Sequence, residues 1–311
     1  MNVIKCSESF PSNKKTVVSV GNFDGVHNGH HYLMTTVCER AQYQNAAAVI
    51  ITFEPHTRAF LYPDKTPPRL TTFDEKVLLL REFPIDYLVC IPFNSQFAAL
   101  TPEEFVQDIL IDRFGAVEWV MGENHSFGKG RKGSYNFLHN LDVRNHFNVF
   151  PVSLHTEDMQ VASSTVIRNL IGERRIDEAV RMLGHPYPIL AERIRGMRKG
   201  FELGYPTLNF KRPPSQKVIP PPGVYAAEVE FKESKLKGAL YFGNCPTFDK
   251  REYHFEFHSL DPIILDPGIH TETALWLHNF IRPDESFSSE AALVEQIKKD
   301  VEKIKQFFNK E

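Results

Sequence analysis

The sequence predicts a chain in two parts: an α/β half on a doubly wound parallel sheet, then antiparallel strands, barrel or sandwich, closed by a helix. Three patterns carry that expectation. Near-continuous apolar runs alternate with helical periodicity through the first half, as happens when parallel strands are covered on both faces. Short segments of period-two alternation, split by turns, fill the second half. The final stretch sets Leu293, Ile297, Val301, Ile304 and Phe308 on one helical stripe.

Each element follows from its own residues. "TVVSVG" (16–21) is a β-branched run ending in glycine, after which Leu33, Met34, Val37 and Ala41 recur at helical spacing. "AAAVIITF" (46–53), "DYLVCIPF" (86–93) and "VEWVMG" (117–122) read as buried strands. "TPEEF" (101–105) opens a helix, with Thr101 as cap, Pro102 at the first helical position and Glu104 three after the cap. Two prolines make "LGHPYPIL" (183–190) a linker between the halves. Beyond it, "GVYAAEVEF" (223–231), "LKGALYFG" (236–243), "EYHFEFHSL" (252–260) and "TALWLHNFI" (273–281) are the expected antiparallel strands.

Composition narrows the function classes. Apolar residues make up 42% of the 311 and charged residues 24%, the balance of a globular protein with a proper core. A net charge of −3 provides no basic field for nucleic acid. No apolar run is long enough to cross a bilayer, and "MNVIKCSESF" lacks the layout of a secretory signal. Cys6, Cys38, Cys90 and Cys245 are too scattered for a metal site and read as reduced thiols. The expectation is a cytoplasmic protein that acts on small molecules, without a nucleic-acid or membrane partner.

Three segments carry chemistry. In "GNFDGVHNGHH" (21–31) a strand-ending glycine leads through a tight turn into a helix N-terminus, where unpaired amides and the dipole attract phosphate. His27 and His30 fall on one side if that turn is helical and could donate to a phosphoryl group gaining charge. A polar turn lined by histidines accounts for the same residues equally well. In "VASSTVIRNLIGERR" (161–175), Ser163, Ser164 and Thr165 start a helix with Arg168 one turn on and Arg174 and Arg175 beyond. Capping explains the serines but not the arginines, so this is a second phosphate cradle. The loop from Gly122 to Gly133 carries Lys129, Arg131 and Lys132, which read as solvated charge.

The order and spacing of "GNFDGVHNGH", "TFEPHTR", "RLTTFDEK", "MGENHSFGKGRKG" and "SSTVIR" resemble the adenylyltransferase module of prokaryotic bifunctional riboflavin kinase/FAD synthetases. The resemblance runs from about residue 15 to the end of the chain. It implies a Rossmann-like nucleotidyltransferase domain over 1–184 and a riboflavin kinase-like antiparallel β-barrel domain with a terminal helix over 185–311. It implies that His27 and His30 stabilise the α-phosphate of ATP, that Gly21, Phe23, Asp24 and Gly29 shape the site, and that Ser164, Thr165 and Arg168 hold the β- and γ-phosphates. Asn124 would lie near the nucleotide and the flavin phosphate. ATP and FMN are then the substrates, with Mg²⁺. His125 and Ser126 depart from the aromatic-led segment usual in that family.

The second half resembles the riboflavin kinase module through "GMRKGFELGYPTLNF" (196–210), "GVY" (223–225), "CPTF" (245–248) and "FIRPDESF" (280–287). This implies Mg²⁺ and phosphate contacts at Thr207 and Asn209, and a catalytic base at Glu256. Phe201 replaces a family arginine, Leu208 a small alanine, Tyr241 the start of "NIG", and "DPIILDPGIH" (261–270) lacks the "LYG" segment. The expectation is therefore FAD synthesis with riboflavin phosphorylation weak or lost. A fully bifunctional enzyme, a different adenylyl acceptor and a non-catalytic flavin- or nucleotide-binding regulator stand as alternatives.

Overall fold

The computed structural model describes residues 1–5, 10–11, 14–139, 147–153, 163–196, 199–214, 216–231, 234–243, 254–262 and 268–310. "CPTF", Cys6, Cys245 and half of "DPIILDPGIH" lie outside them. The chain divides into two compact units, Met1–Pro67 with Lys76–Ser163, and Pro68–Glu75 with Ser164–Glu311.

The first unit is the expected parallel sheet. Strands β1 (Asn2–Lys5), β2 (Thr16–Val20), β3 (Ala47–Glu54), β4 (Tyr87–Pro92), β5 (Ala116–Gly122) and β6 (Asn148–Val152) lie in the order β1-β4-β3-β2-β5-β6. Every neighbouring pair is parallel. β3 is buried from Ala47 to Phe53, as its unbroken apolar run requires of a strand covered on both faces. The helix Asn28–Gln44 connects β2 to β3 and buries Leu33, Met34, Val37 and Ala41, and Asn45 ends it in the left-handed region. Strand order reverses between β2 and β5. At such a switch point the loops leaving the two strands diverge and open a crevice at their carboxyl ends. Thr101 caps its helix through a reciprocal box with Glu104, as the spacing predicts. Past that first turn Phe105–Arg113 is wound more widely than an α-helix, which the apolar pattern does not reveal.

The second unit is a closed barrel, not a sandwich. β7 (Tyr187–Ile194), β8 (Leu208–Phe210), β9 (Gly223–Phe231), β10 (Ser234–Gly243), β11 (His254–Ser259) and β12 (Glu272–Pro283) close in the order β10-β11-β8-β7-β12-β9. All of these pairings are antiparallel. Its core gathers Tyr187, Leu208, Phe210, Tyr225, Phe255 and Phe257. The helices Ser164–Gly172 and Ile176–Leu183 join this core through Ile167, Leu170, Ile176 and Leu183. Little linker remains in "LGHPYPIL": Gly184, at φ 80°, closes the second of those helices and β7 starts at Tyr187. The terminal helix Glu290–Phe308 buries Ile304 and Phe308 against Val224 and Ala226.

The segment Pro68–Glu75 belongs to the barrel unit for a physical reason. Arg69 exchanges backbone hydrogen bonds with Gln216 and Val218 at 2.6 and 2.7 Å. Glu75 and Lys217 form an ion pair of 2.8 Å with both side chains fully buried. Glu75 also accepts the Leu190 and Thr72 amides at 2.9 and 2.8 Å. Lys217 donates to the carbonyls of Leu70 and of Pro188, the latter at 2.8 Å, and its ammonium lies 4.1 Å from the centre of the Tyr187 ring. With its hydrogen bonds made, the pair is tolerated in the interior; removing one partner strands the other charge there. Glu75→Gln should lower the stability of this unit by about 3 kcal/mol, and adding Lys217→Met should restore part of the loss. Denaturant unfolding followed by Trp276 fluorescence in a Trp119→Phe background checks both.

Candidate functional site

The first group of site residues sits where the sheet topology opens. After Val20 the chain makes a turn in which Phe23 (φ 47°), Gly25 (φ 88°) and Val26 (φ 42°) all take left-handed values. Two side chains held there have to be fixed by their surroundings. Phe23 and Val26 are buried, as are Asp24 and His27. Gly21 makes room for the fold-back, because a Cβ there would approach the Phe23 ring to 3.0 Å. The Asn22 side chain ties the turn to the start of Thr57–Leu61, donating to Thr57 Oγ1 at 2.9 Å and accepting the Thr57 amide at 3.2 Å.

His27 is the residue at which helix 28–44 begins, and no side chain caps that terminus. Gly29 is in its first turn. The imidazoles of His27 and His30 stack with centroids 3.7 Å apart and planes 18° apart, and the Phe23 ring meets His30 edge-on at 5.3 Å. The spacing predicts that pairing. Nδ1 of His30 is shut off from solvent and has no hydrogen-bond partner among the described residues. Burial, then the charges of His27, Lys76 and His31, hold His30 well below the usual imidazole range. Its ring is therefore neutral at pH 7, with one N–H to give and one lone pair. His31 turns away from the pair and packs on Phe83 at 5.3 Å.

Strands β2 and β5 are parallel neighbours, so the loop after β5 leaves the same end of the sheet as this turn. Asn124 is exposed on that loop, and Lys129, Arg131 and Lys132 are exposed further along it. His125 faces inward instead, its ring 6.0 Å from the Trp119 ring. Burial, with Arg131 nearby, pushes its pKa down to about 4. Trp119 is fully buried among Phe105 and Phe127. Thus the departure at position 125 is accommodated by an aromatic wall, a role that neither the sequence motif nor the basic character of the loop indicates.

Ser164, Thr165 and Arg168 lie at the start of helix 164–172, in the second unit. Arg168 donates from Nε to the Pro68 carbonyl at 2.8 Å. The other two arginines have different surroundings. Arg175 pairs with Glu178 at 2.6 Å and Glu173 at 3.2 Å, and Arg174 lies over the Phe280 ring at 5.7 Å.

The remaining site residues gather on the barrel. Register sets Glu256 of β11 opposite Asn209 of β8 and opposite Tyr241 of β10. Asn209 donates to Thr207 Oγ1 at 3.3 Å, and a Cβ on Gly196 would collide with the Asn209 side chain. Leu208 points into the core, so its bulk in place of alanine fills the barrel without entering the Thr207–Asn209 pair. Tyr241 donates to Asp284 at 3.1 Å. Phe201 is 73% exposed.

Comparison with known proteins decides the family. The pattern of the FAD synthetase family matches residues 9–166 and that of riboflavin kinase matches 183–308. A bifunctional riboflavin kinase/FMN adenylyltransferase of Buchnera aphidicola subsp. Schizaphis graminum is 34% identical over 304 residues, covering 96% of this chain and 95% of its own. The Escherichia coli K12 protein of that name is 32% identical over 293 residues, 94% of this chain and 92% of its own. The chain belongs to this bifunctional family. A solved Streptococcus pneumoniae structure, titled as a macrolide-efflux protein, shares the fold with TM-score 0.81 and 29% identity over 96% of this chain and 97% of that one. Among the described residues here, no helix is long and apolar enough to cross a membrane.

In this chain the imidazole at 125 has a cost at low pH. Unfolded, it binds a proton near pH 6.5, whereas folded it waits until about 4. Between those values the unfolded state binds more protons, so stability falls as pH falls, and below the folded pKa the loss stops growing. His125→Gln should reduce the fall in stability between pH 6.5 and 4, with His30 supplying part of what is left. Urea unfolding of the first unit, read from Trp119 fluorescence in a Trp276→Phe background at successive pH values, measures it.

Proposed function

We propose that this chain makes FAD by transferring AMP from Mg·ATP to FMN, and that its phosphorylation of riboflavin is weak or lost. The observation that carries the first part is the stacked His27–His30 pair at the sheet's switch point, with the His30 Nδ1 buried and unpartnered among the described residues. A phosphate oxygen of FMN attacks the α-phosphorus of ATP; the bond to the bridging oxygen breaks and pyrophosphate leaves with the electron pair. The nucleophile is already anionic at neutral pH, the second phosphate pKa being about 6, so no strong base is needed. The task is to bring two polyanions together in line. His27 and His30 donate to the α-phosphate as it gains charge, while Gly21, Phe23, Asp24 and Gly29 shape the turn around it. Ser164, Thr165 and Arg168 hold the β- and γ-phosphates, and Asn124 orients nucleotide and flavin phosphate. The activities divide between residues 1–184 and 185–311, and the protein works in the cytoplasm.

Phosphorylation differs in kind, because a ribityl hydroxyl must lose its proton as it attacks. Glu256 is the base assigned to that step. The neutral oxygens of Thr207 and Asn209 suit Mg²⁺, which takes few protein ligands beside phosphate and water. When bound, the ion offsets phosphate charge. Phe201, exposed where the resemblance implies an arginine, supports a weak kinase. A second reading, full bifunctionality, is favoured by the register that sets Glu256 opposite Asn209.

Chromatography of three reactions separates the readings: riboflavin with ATP, FMN with ATP, and FAD with pyrophosphate. Conversion in the last two with little FMN from the first supports the proposal, and efficient FMN formation supports the second reading. His30→Ala should lower the rate of FAD formation at least about 100-fold with ATP affinity held within about threefold, since a binding protein needs no donors aimed at the transition state. Phe201→Arg should raise riboflavin phosphorylation, read in the same assay.

A further inference from the structure

Lys76, on the helix Phe73–Leu80, is one of the charges acting on His30 and is itself buried, at 6% exposure. Its ammonium donates to Thr52 Oγ1 at 2.9 Å. Thr52, itself fully buried, lies near the carboxyl end of β3 and directs its hydroxyl to the Asn22 carbonyl at 3.4 Å. Asn22 lies between Gly21 and Phe23, and its side chain anchors Thr57. Gly21 is tied to the same strand by its amide, 3.0 Å from the Ile51 carbonyl. A line of hydrogen bonds thus runs from a buried positive charge to the turn that seats Phe23, and Phe23 meets His30 edge-on. The charge also acts directly on the imidazole pair, since Lys76 is one of the groups that keep His30 neutral.

We propose that Lys76 is a positioning residue for adenylyl transfer, a buried positive charge that acts through Thr52 on the turn at Asn22 and so on the His27–His30 pair seated by that turn. The proposal rests on the reading of this site as an adenylyltransferase. Burying an ammonium is expensive, and a charge held in a low-dielectric interior acts on its neighbours more strongly than one in water. Here it raises the potential where two polyanions must meet, and it disfavours a second positive charge on His30. The groups facing that ring are His27 and His31 from its own helix start and Lys76 from helix 73–80, with Asp24 buried in the preceding turn.

The test uses Lys76→Met, of similar length without charge, and Lys76→Arg, which keeps the charge. In the protein without substrate, the His30 ring-proton NMR titration, assigned with His30→Gln, should move to higher pH in Lys76→Met and stay near wild type in Lys76→Arg. The acid-side break in the pH profile of FAD formation should move the same way, with kcat at pH 7.5 falling about tenfold or more in Lys76→Met. An unchanged His30 midpoint overturns the proposal, as does an unchanged rate in a chain that converts FMN. If wild-type protein makes no FAD, the adenylyltransferase reading fails by itself, and the NMR midpoint still decides whether Lys76 governs His30. Lys76→Arg separates loss of charge from loss of fold: wild-type behaviour there beside a shifted Lys76→Met supports the proposal.

Discussion

The turn between β2 and helix 28–44 is the constraint on which the first unit's site depends. Phe23 and Val26 hold left-handed backbone values that cost non-glycine residues about 1–3 kcal/mol each. Burial of both side chains offsets that cost, at about 1.5–3 kcal/mol for a fully buried large apolar group. The balance closes only because Gly21 leaves space for the Phe23 ring. From the fold-back follow the edge-on contact of Phe23 with His30 and the stacking of His30 on His27. A looser turn would free the imidazoles into separate rotamers, and two donors held in one geometry would be lost.

Local pattern made most of the fold legible. The buried runs of β3 and β4, the Leu33–Ala41 stripe and the Thr101 capping box are short-range features, and each forms as its residues dictate. What escaped was nonlocal. "TTFDEK" contains the Thr72-x-x-Glu75 spacing of a capping box, and the reciprocal bonds form. Nothing near it announces that the same carboxylate will meet Lys217 in the interior of the barrel unit. Charge pairs distant in sequence leave no periodic trace, so nothing in the sequence assigns Pro68–Glu75 to the barrel unit. The packing of Ser164–Leu183 with the barrel core is hidden for the same reason.

The candidate sites divide along a similar line. His27 and His30 are three residues apart at a helix start, and Glu256 and Asn209 face each other once the strands are registered; spacing and strand counting reach such pairs. Lys76, Thr52 and Trp119 were invisible as site residues because each acts through a contact made in three dimensions. Arg175 shows the opposite difficulty. Clustered basic residues on a helix suggest an anion, yet Arg175 is paired with Glu173 and Glu178, whereas Arg174 lies over the Phe280 ring with its Nε buried and without a hydrogen-bond partner among the described residues. Composition cannot distinguish a guanidinium awaiting phosphate from one already paired.

The two chemistries place unequal demands on their residues, and this bears on where the sequence has diverged. Adenylyl transfer to a phosphate begins with an anionic nucleophile and needs positioning and charge, supplied by a turn, two imidazoles and helix termini. Phosphorylation of a hydroxyl needs in addition a base aligned with a cation-bearing loop, so changes around that loop bear directly on the chemical step. Leu208 is absorbed by the barrel core and Tyr241 by Asp284, each with a structural partner that explains its presence. Phe201 is different in kind: an exposed aromatic gains little from burial where it stands. Of these three changes, it is the one the barrel itself does not account for, and the one that sets an apolar side chain where the family resemblance implies an arginine.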